Sequence, residues 1–512
     1  MPGGSARNYS WLEVLTSDGP QKPRRVGSSA DERVGFMRKP SISGLILLLV
    51  LGCVAVLAAR LSVFGASARA DAVGAKGGAL SGTVLMFTRT PSYSAHAWIQ
   101  GGERFPQGGS IVVKNGNDSH PLVVDFAAAV DPRLNFEGTS VLFAGKEKRG
   151  DPWQVYEVAL NGGQPHRITY GEEDCIRPMY LPDGRIVYAR KTGGRFVLEA
   201  AALDGSGKPL RLTYAPGNFL PTDVLRDGRV LFESSFPLGS AGHPEIYTVY
   251  PDGSGVEAYR CDHRDARSNG IQGVSGDILF VSSRGLGRFT SALAHDVTVN
   301  VPEGDYAGGI AETEAGALIL SSRPVQAGAR NAVRQGYALK VWAPRTHALT
   351  TMVAQPGESL VEPVLVRPLP IANRFPTALH DWKTTNLLAL NSYISRDGET
   401  PPGTLAVVRV STLDASGKVK VLGTAPVEKD GSFFVQAPGD SPLKFELLDA
   451  RGNVVRKENG WMWARSGEQR ICVGCHAGPE RAPDNAVPGV LLRTTTPADL
   501  TGATSEATKG KN

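Results

Sequence analysis

Residues 472–476 read Cys-Val-Gly-Cys-His. Two thiols three positions apart can reach the two vinyl groups along one haem edge, and the adjoining imidazole is then delivered to the iron. Cys-x-x-Cys-His is therefore the attachment signature of c-type haem. On this reading Cys472 and Cys475 hold one covalent haem c and His476 is the proximal iron ligand. Two rival chemistries use the same residue types. A zinc site would want a second Cys or His pair nearby, and none follows. A disulfide oxidoreductase would want a βαβ context, and none is visible in the pattern.

The sequence also limits the other face of the iron. Between His476 and the last residue, Asn512, there is no further His and no Met. A sixth ligand must then come from upstream, from another chain, or be absent. The upstream candidates are Met462, in Trp461-Met462-Trp463, and His380, in Leu379-His380-Asp381. Each has a plainer reading: Met462 as packing beside aromatics and His380 as a surface linker residue. With no sixth ligand the iron would be open to small molecules.

The elements that must carry this motif are short strands. Leu181-Pro182-Asp183-Gly184 leads into Arg185-Ile186-Val187-Tyr188, and Leu225-Arg226-Asp227-Gly228 leads into Arg229-Val230-Leu231-Phe232. Looser copies begin at Gly138, Gly276 and Gly316, which gives a period of roughly 44 residues. Asn161-Gly162-Gly163 and Asp252-Gly253 mark hairpins in the second half of the unit. Four short strands per unit at that period make a propeller blade. Five units fill roughly 128–358. The segment 81–127, with Val84-Leu85-Met86-Phe87 and Ile111-Val112-Val113-Lys114, is expected to supply a sixth blade, seven being the alternative count. After a proline-bearing linker, the runs Leu405–Val410, Gly431–Val435 and Leu443–Leu448 predict a β-sandwich-like module. The expected domains are a propeller over 81–360, a linker over 361–402, a β-rich haem-binding module over 403–492 and a disordered tail over 493–512. The fold class is mainly β.

Two family resemblances follow. Pro182-Asp183-Gly184-Arg185-Ile186-Val187-Tyr188, with Asn161-Gly162-Gly163-Gln164-Pro165-His166-Arg167-Ile168-Thr169, resembles the TolB-type, WD40-like propeller repeat. The stretch from Val421 to Val427, then Asp430-Gly431-Ser432-Phe433-Phe434, Ser441 to Asp449 and Gly467 to His476, resembles the middle domain of the hydrazine synthase alpha subunit. That resemblance covers roughly 380–495. It implies a propeller followed by a small β-rich module ending in one haem motif, with Cys472, Cys475 and His476 matching residue for residue. The full enzyme has a further haem domain and this chain has a single Cys-x-x-Cys-His, so hydrazine synthesis is not expected of it.

Other features set the surroundings. Ile42 to Ala59 carries no charge and follows Arg38-Lys39. It predicts a single transmembrane helix over 41–64, a cytoplasmic tail over 1–40 and the bulk of the chain in the periplasm at the inner membrane. A signal peptide cut near Ala66-Ser67-Ala68 is the alternative. Cys53 reads as a small apolar residue in that run. Cys175 and Cys261 read as free thiols at repeat starts, and Gly478 to Pro483 as a coil over one haem edge. A net charge of +5 on 512 residues argues against a nucleic-acid partner. The expected function is a membrane-anchored c-type cytochrome that passes electrons to a partner protein. The alternatives are a haem enzyme acting on a small nitrogen or oxygen species, and a propeller interaction module with structural haem.

Overall fold

The computed structural model describes residues 83–502, except 236–242, 261–264, 284, 292–296, 326–334, 396–397, 459 and 476–483. Contacts divide the chain into Met1–Gly78 and Ala79–Asn512, and all that follows concerns the second unit.

Six four-stranded antiparallel sheets come first. Their inner strands are Ser359–Leu365 (blade 1), Ala128–Leu134 (blade 2), Cys175–Tyr180 (blade 3), Phe219–Val224 (blade 4), Arg267–Gln272 (blade 5) and Asp305–Glu312 (blade 6). Each inner strand touches the next in this cyclic order, and Ser359–Leu365 touches Ala128–Leu134, so the ring is closed. The second strands explain the repeat. Val141-Leu142-Phe143, Ile186-Val187-Tyr188 and Val230-Leu231-Phe232 are fully buried because blades pack on both of their faces. The tight turn before each second strand carries a glycine with φ between 75° and 96°, at Gly138, Gly184, Gly228, Gly276 and Gly316. Only glycine enters that region without a steric cost.

Blade 1 lacks this turn because its inner strand comes from the far end of the ring. Ser359–Leu365 pairs antiparallel with Val84–Thr90, which continues into Ser110–Asn115 and Asp118–Pro121. The closing strand thus runs past the boundary expected at 360.

Two further four-stranded sheets form the C-terminal module. One holds Gln469–Cys472, Thr384–Ala389, Phe433–Pro438 and Ala498–Asp499 in that order. The other holds Val419–Pro426, Val407–Leu413, Lys444–Leu448 and Val454–Lys457. Their inner faces share one apolar core built on Leu387, Val408, Val410, Val435 and Leu447. Thr384–Ala389 lies inside the stretch expected to be linker, and Ala498–Asp499 inside the stretch expected to be disordered. Both are recruited as strands by pairing with Phe433–Pro438.

The transmembrane helix, the membrane contact through it and the single-pass inner-membrane placement are corrected. Among the described residues no helix is long and apolar enough to cross a membrane, which takes about 20 apolar residues. The α-helix found there, Gly489–Arg493, has five residues. The segment 41–64 itself, like the tail 1–40, Cys53 and Cys261, lies outside the described residues.

The inner strands share a second feature. Asp131, Arg177, Asn269 and Glu362 have φ between 53° and 58° at irregular points of blades 2, 3, 5 and 1, and Gly308 and Gly309 take positive φ in blade 6. Ladder register shifts at these points in blades 2, 3, 5 and 6. Such bulges turn a side chain out of the strand. Three of these side chains meet at the axis with Arg104, which enters from the Ser92–Gly109 loop. Arg104 binds Glu362 at 2.9 Å and pairs with Asp131, while Arg177 binds Glu362 at 2.6 Å. All four are buried. Burial alone would raise the Glu362 carboxyl, but the charges of Arg177, Arg104 and Arg133 win and bring it down to about 2. A carboxylate depressed from the ordinary 4.5 contributes stability above that value and loses it as the pH falls toward about 2. Glu362→Gln is expected to cost about 3–5 kcal/mol, because it leaves buried arginines uncompensated. Urea unfolding followed from pH 7 to pH 3 should show this cost and a flatter acid limb in the variant.

Candidate functional site

Cys472 closes the strand Gln469–Cys472, an edge strand tied to the module sheet on one side and to the propeller at its start. It pairs in parallel with Thr384–Ala389, with Ala389 opposite Cys472, and Leu390 N–H donates to the Cys472 carbonyl at 2.9 Å. At the strand entrance Glu468 accepts from Arg465 N–H at 2.7 Å and from Gly255 N–H of blade 4 at 3.1 Å. Arg470 donates to the Val256 carbonyl at 2.5 Å. The motif strand is thus clamped between the module's own sheet and the turn after the third strand of blade 4.

Trp461-Met462-Trp463 makes the larger part of that clamp. Side chains alternate along an extended segment. Trp463 is buried against propeller residues, edge-on to Phe219 at 5.8 Å, and its Nε1 donates to the Leu212 carbonyl at 3.2 Å. Met462 points the other way onto the module core, its backbone bridged to Leu443. Arg465 continues the seam, donating to the Asp252 carbonyl at 2.9 Å and pairing with Tyr214 and Asp440.

Gly474 is dictated by space. A Cβ there would lie 2.8 Å from the Ile394 carbonyl oxygen and 3.0 Å from that of Asn391. The Asn391–Ile394 turn therefore packs directly on the backbone between the two cysteines. The thiols of Cys472 and Cys475 are half-buried and form no disulfide. Cys475 packs on the module core with the Ser392 hydroxyl beside it. Burial, reinforced by the Glu458 carboxylate, pushes its thiol up to about 12. Burial also raises the Cys472 thiol, against the pull of Arg470. Ile471, the strand residue before Cys472, is on the outer face and 65% exposed.

The expected residues separate. Cys472 and Cys475 sit together at the strand end, and His476 lies outside the described residues, as do 478–483. Met462 shares the core of Cys475. His380 meets Gln469 at the other end of the strand, and Gln469 lies three residues or roughly 10 Å from Cys472 at ~3.3 Å per residue. The imidazole stacks on Trp382 at 4.2 Å and takes a hydrogen bond at 3.0 Å from Gln469. Cys175, by contrast, is buried between blades 2 and 3. Among the described residues no group of three or more His, Cys, Asp or Glu side chains could hold a metal ion. Sequence reasoning missed Trp463, Arg465 and Glu468. Their signal is faint: two tryptophans flanking one residue, just ahead of the motif.

The donor set suits a haem joined by thioethers. Both thiols are free of any disulfide and kept neutral.

Comparison with known proteins agrees with the resemblance read from the sequence. Residues 396–477 match the family model of the hydrazine synthase alpha subunit middle domain. Hydrazine synthase subunit alpha of Kuenenia stuttgartiensis is 28% identical over 198 residues, 38% of this chain and 22% of that protein. The chain spans about a fifth of the length of the curated relatives it matches. Kuenenia stuttgartiensis hydrazine synthase shares the fold, with a TM-score of 0.69 over 80% of this chain and 71% of that one at 17% identity. TolB from Acinetobacter baumannii is a looser neighbour, with a TM-score of 0.43 over 57% of this chain and 68% of that one at 15% identity. The chain is hydrazine synthase alpha-like, and its propeller has TolB-type neighbours.

Trp463→Ala should cost about 3–5 kcal/mol and release the motif strand from the propeller. In haem-free protein, iodoacetamide should then alkylate Cys475 faster than in the wild type, where the protonated, packed thiol reacts slowly below pH 10. Peptide mass spectrometry over a time course reads both rates.

Proposed function

We propose that this hydrazine synthase alpha-like chain is a c-type haem protein that exchanges electrons with a partner protein. Cys472 and Cys475 would form the thioethers and His476 would be the proximal ligand. Bound there, the haem supplies a one-electron iron couple. The observation that carries this reading is the strand Gln469–Cys472. It presents both thiols unpaired at the end of a segment fixed on one side by Thr384–Ala389 and on the other by the propeller. A rigid mount lowers the reorganisation that accompanies each change of charge, and the module core against which Cys475 packs would exclude water from one side of the group. The propeller acts as the support.

A second reading, a haem enzyme with an open iron site, is favoured by the fate of the distal candidates. His380 is engaged by Gln469 at the wrong end of the strand, and Met462 is packed into the core. Neither reading includes hydrazine synthesis.

Protein matured in a host that attaches haem c should keep its colour through acid–acetone extraction, and the Cys472→Ser, Cys475→Ser double variant should lose it. Loss of colour from the wild type would overturn the proposal. Adding carbon monoxide to the reduced protein separates the two readings. An unchanged low-spin spectrum favours electron transfer, and a shifted one favours the open site.

A further inference from the structure

The propeller axis is blocked at one end and open at the other. The blocked end is filled by the Ser92–Gly109 loop, with Trp98 buried and Arg104 in the ring of charges. Past that ring the inner strands diverge into a funnel of about 800 Å³. Each blade gives it at least one apolar wall residue, among them Val364, Leu134, Met179, Val224, Ile271 and Ile310, in order from blade 1 to blade 6. The segment after the closing strand lines one lip with Arg367, Pro368, Leu369 and Pro370. A cavity of this size, apolar-walled with a few polar groups, has the character of a small-molecule site.

The hydrogen bonds of the polar lining point to what it would hold. Tyr180 donates to Glu157 at 2.7 Å. The oxygens of Asp223 accept the backbone N–H groups of Val224 and Gln272. Arg226 gives Nη2 to the carbonyls of Gly273 and Val274, and Gln272 accepts from Arg226 N–H and donates to the Gly276 carbonyl. Glu312 accepts from Val274 N–H at 2.6 Å, and Glu314 pairs with Arg367 at 3.1 Å. Arg133 differs. It stands on the funnel floor, and its guanidinium makes a single hydrogen bond, from Nη2 to the Thr222 carbonyl at 3.2 Å. The rest of its planar fork opens on the cavity, where it matches a carboxylate. The acids that face it are already engaged: Glu362 by Arg104 and Arg177, Asp131 by Arg104, and Asp223 by two backbone donors.

We propose that the propeller funnel binds a small organic carboxylate, its anionic end on Arg133 and its apolar body against the six walls. This stands apart from the haem reading, because none of these residues belongs to the cysteine motif.

Titration calorimetry of the full chain with hexanoate tests it, with hexylamine as the probe of opposite charge. Saturable one-to-one binding of hexanoate is expected, with hexylamine at least about tenfold weaker. Arg133→Met should weaken hexanoate by about tenfold or more. Val224→Trp, which narrows the funnel and leaves Arg133 in place, should do the same. This second variant decides the matter if the first does not fold. The proposal is overturned if hexanoate shows no saturable binding in the millimolar range, if hexylamine binds as well or better, or if Val224→Trp binds hexanoate unchanged.

Discussion

Glu362 sits where the two ends of the propeller meet, held by Arg104 from the first blade's long loop and by Arg177 from blade 3. These contacts span 258 and 185 residues of chain. A closed ring of strands is helped by such a lock, because its last strand in the chain must be held against its first. Buried charges are costly unless each is matched. Here two arginines share two acids, and the left-handed backbone at Asp131, Arg177 and Glu362 aims the acids and one of the arginines inward. Strain at Arg177 and Glu362, residues that seldom adopt this conformation, is offset by the ion pairs it makes possible.

From that lock the chain leads on to the module that carries the cysteine motif. The closing strand exits along the propeller face, where Leu369 N–H meets the Phe136 carbonyl, Arg374 meets that of Pro182 and Asn373 N–H meets that of Arg226. Phe375 stacks on Tyr250 at 3.7 Å. The strap therefore touches the turns of blades 2, 3 and 4 before it enters the module at Thr384. Trp463, Arg465, Glu468 and Arg470 fasten the module to blades 3 and 4 from the other side. The position of Cys472 is thus a consequence of the ring and not of the small module alone.

Much of this was legible in the residues. The Asp-Gly turns and the apolar triplets after them identify blades because both report local physics: a left-handed glycine and a strand buried on two faces. Blade 1 was legible only in part, since its inner strand is supplied by residues 359–365 and no turn joins the two pieces. The same limit hid Thr384–Ala389 and Ala498–Asp499, whose strand character comes from distant partners. At the site, Cys472 and Cys475 announce themselves by spacing, whereas Gly474 and Trp463 acquire meaning only from what packs on them. The charged axis was invisible because its members are scattered from Arg104 to Glu362 and carry no shared motif. The charge-free run at Ile42–Ala59 belongs to residues outside those described, and among the described residues no helix is long and apolar enough to cross a membrane.

The central claim is that the two sulfurs of this strand end in thioether bonds to haem. It is tested most directly by the mass of the tryptic peptide 471–481 from protein matured in a host that attaches haem c. The account predicts a peptide that carries the haem and takes up no alkylating reagent at either cysteine. A haem-free peptide alkylated at both Cys472 and Cys475 would contradict it.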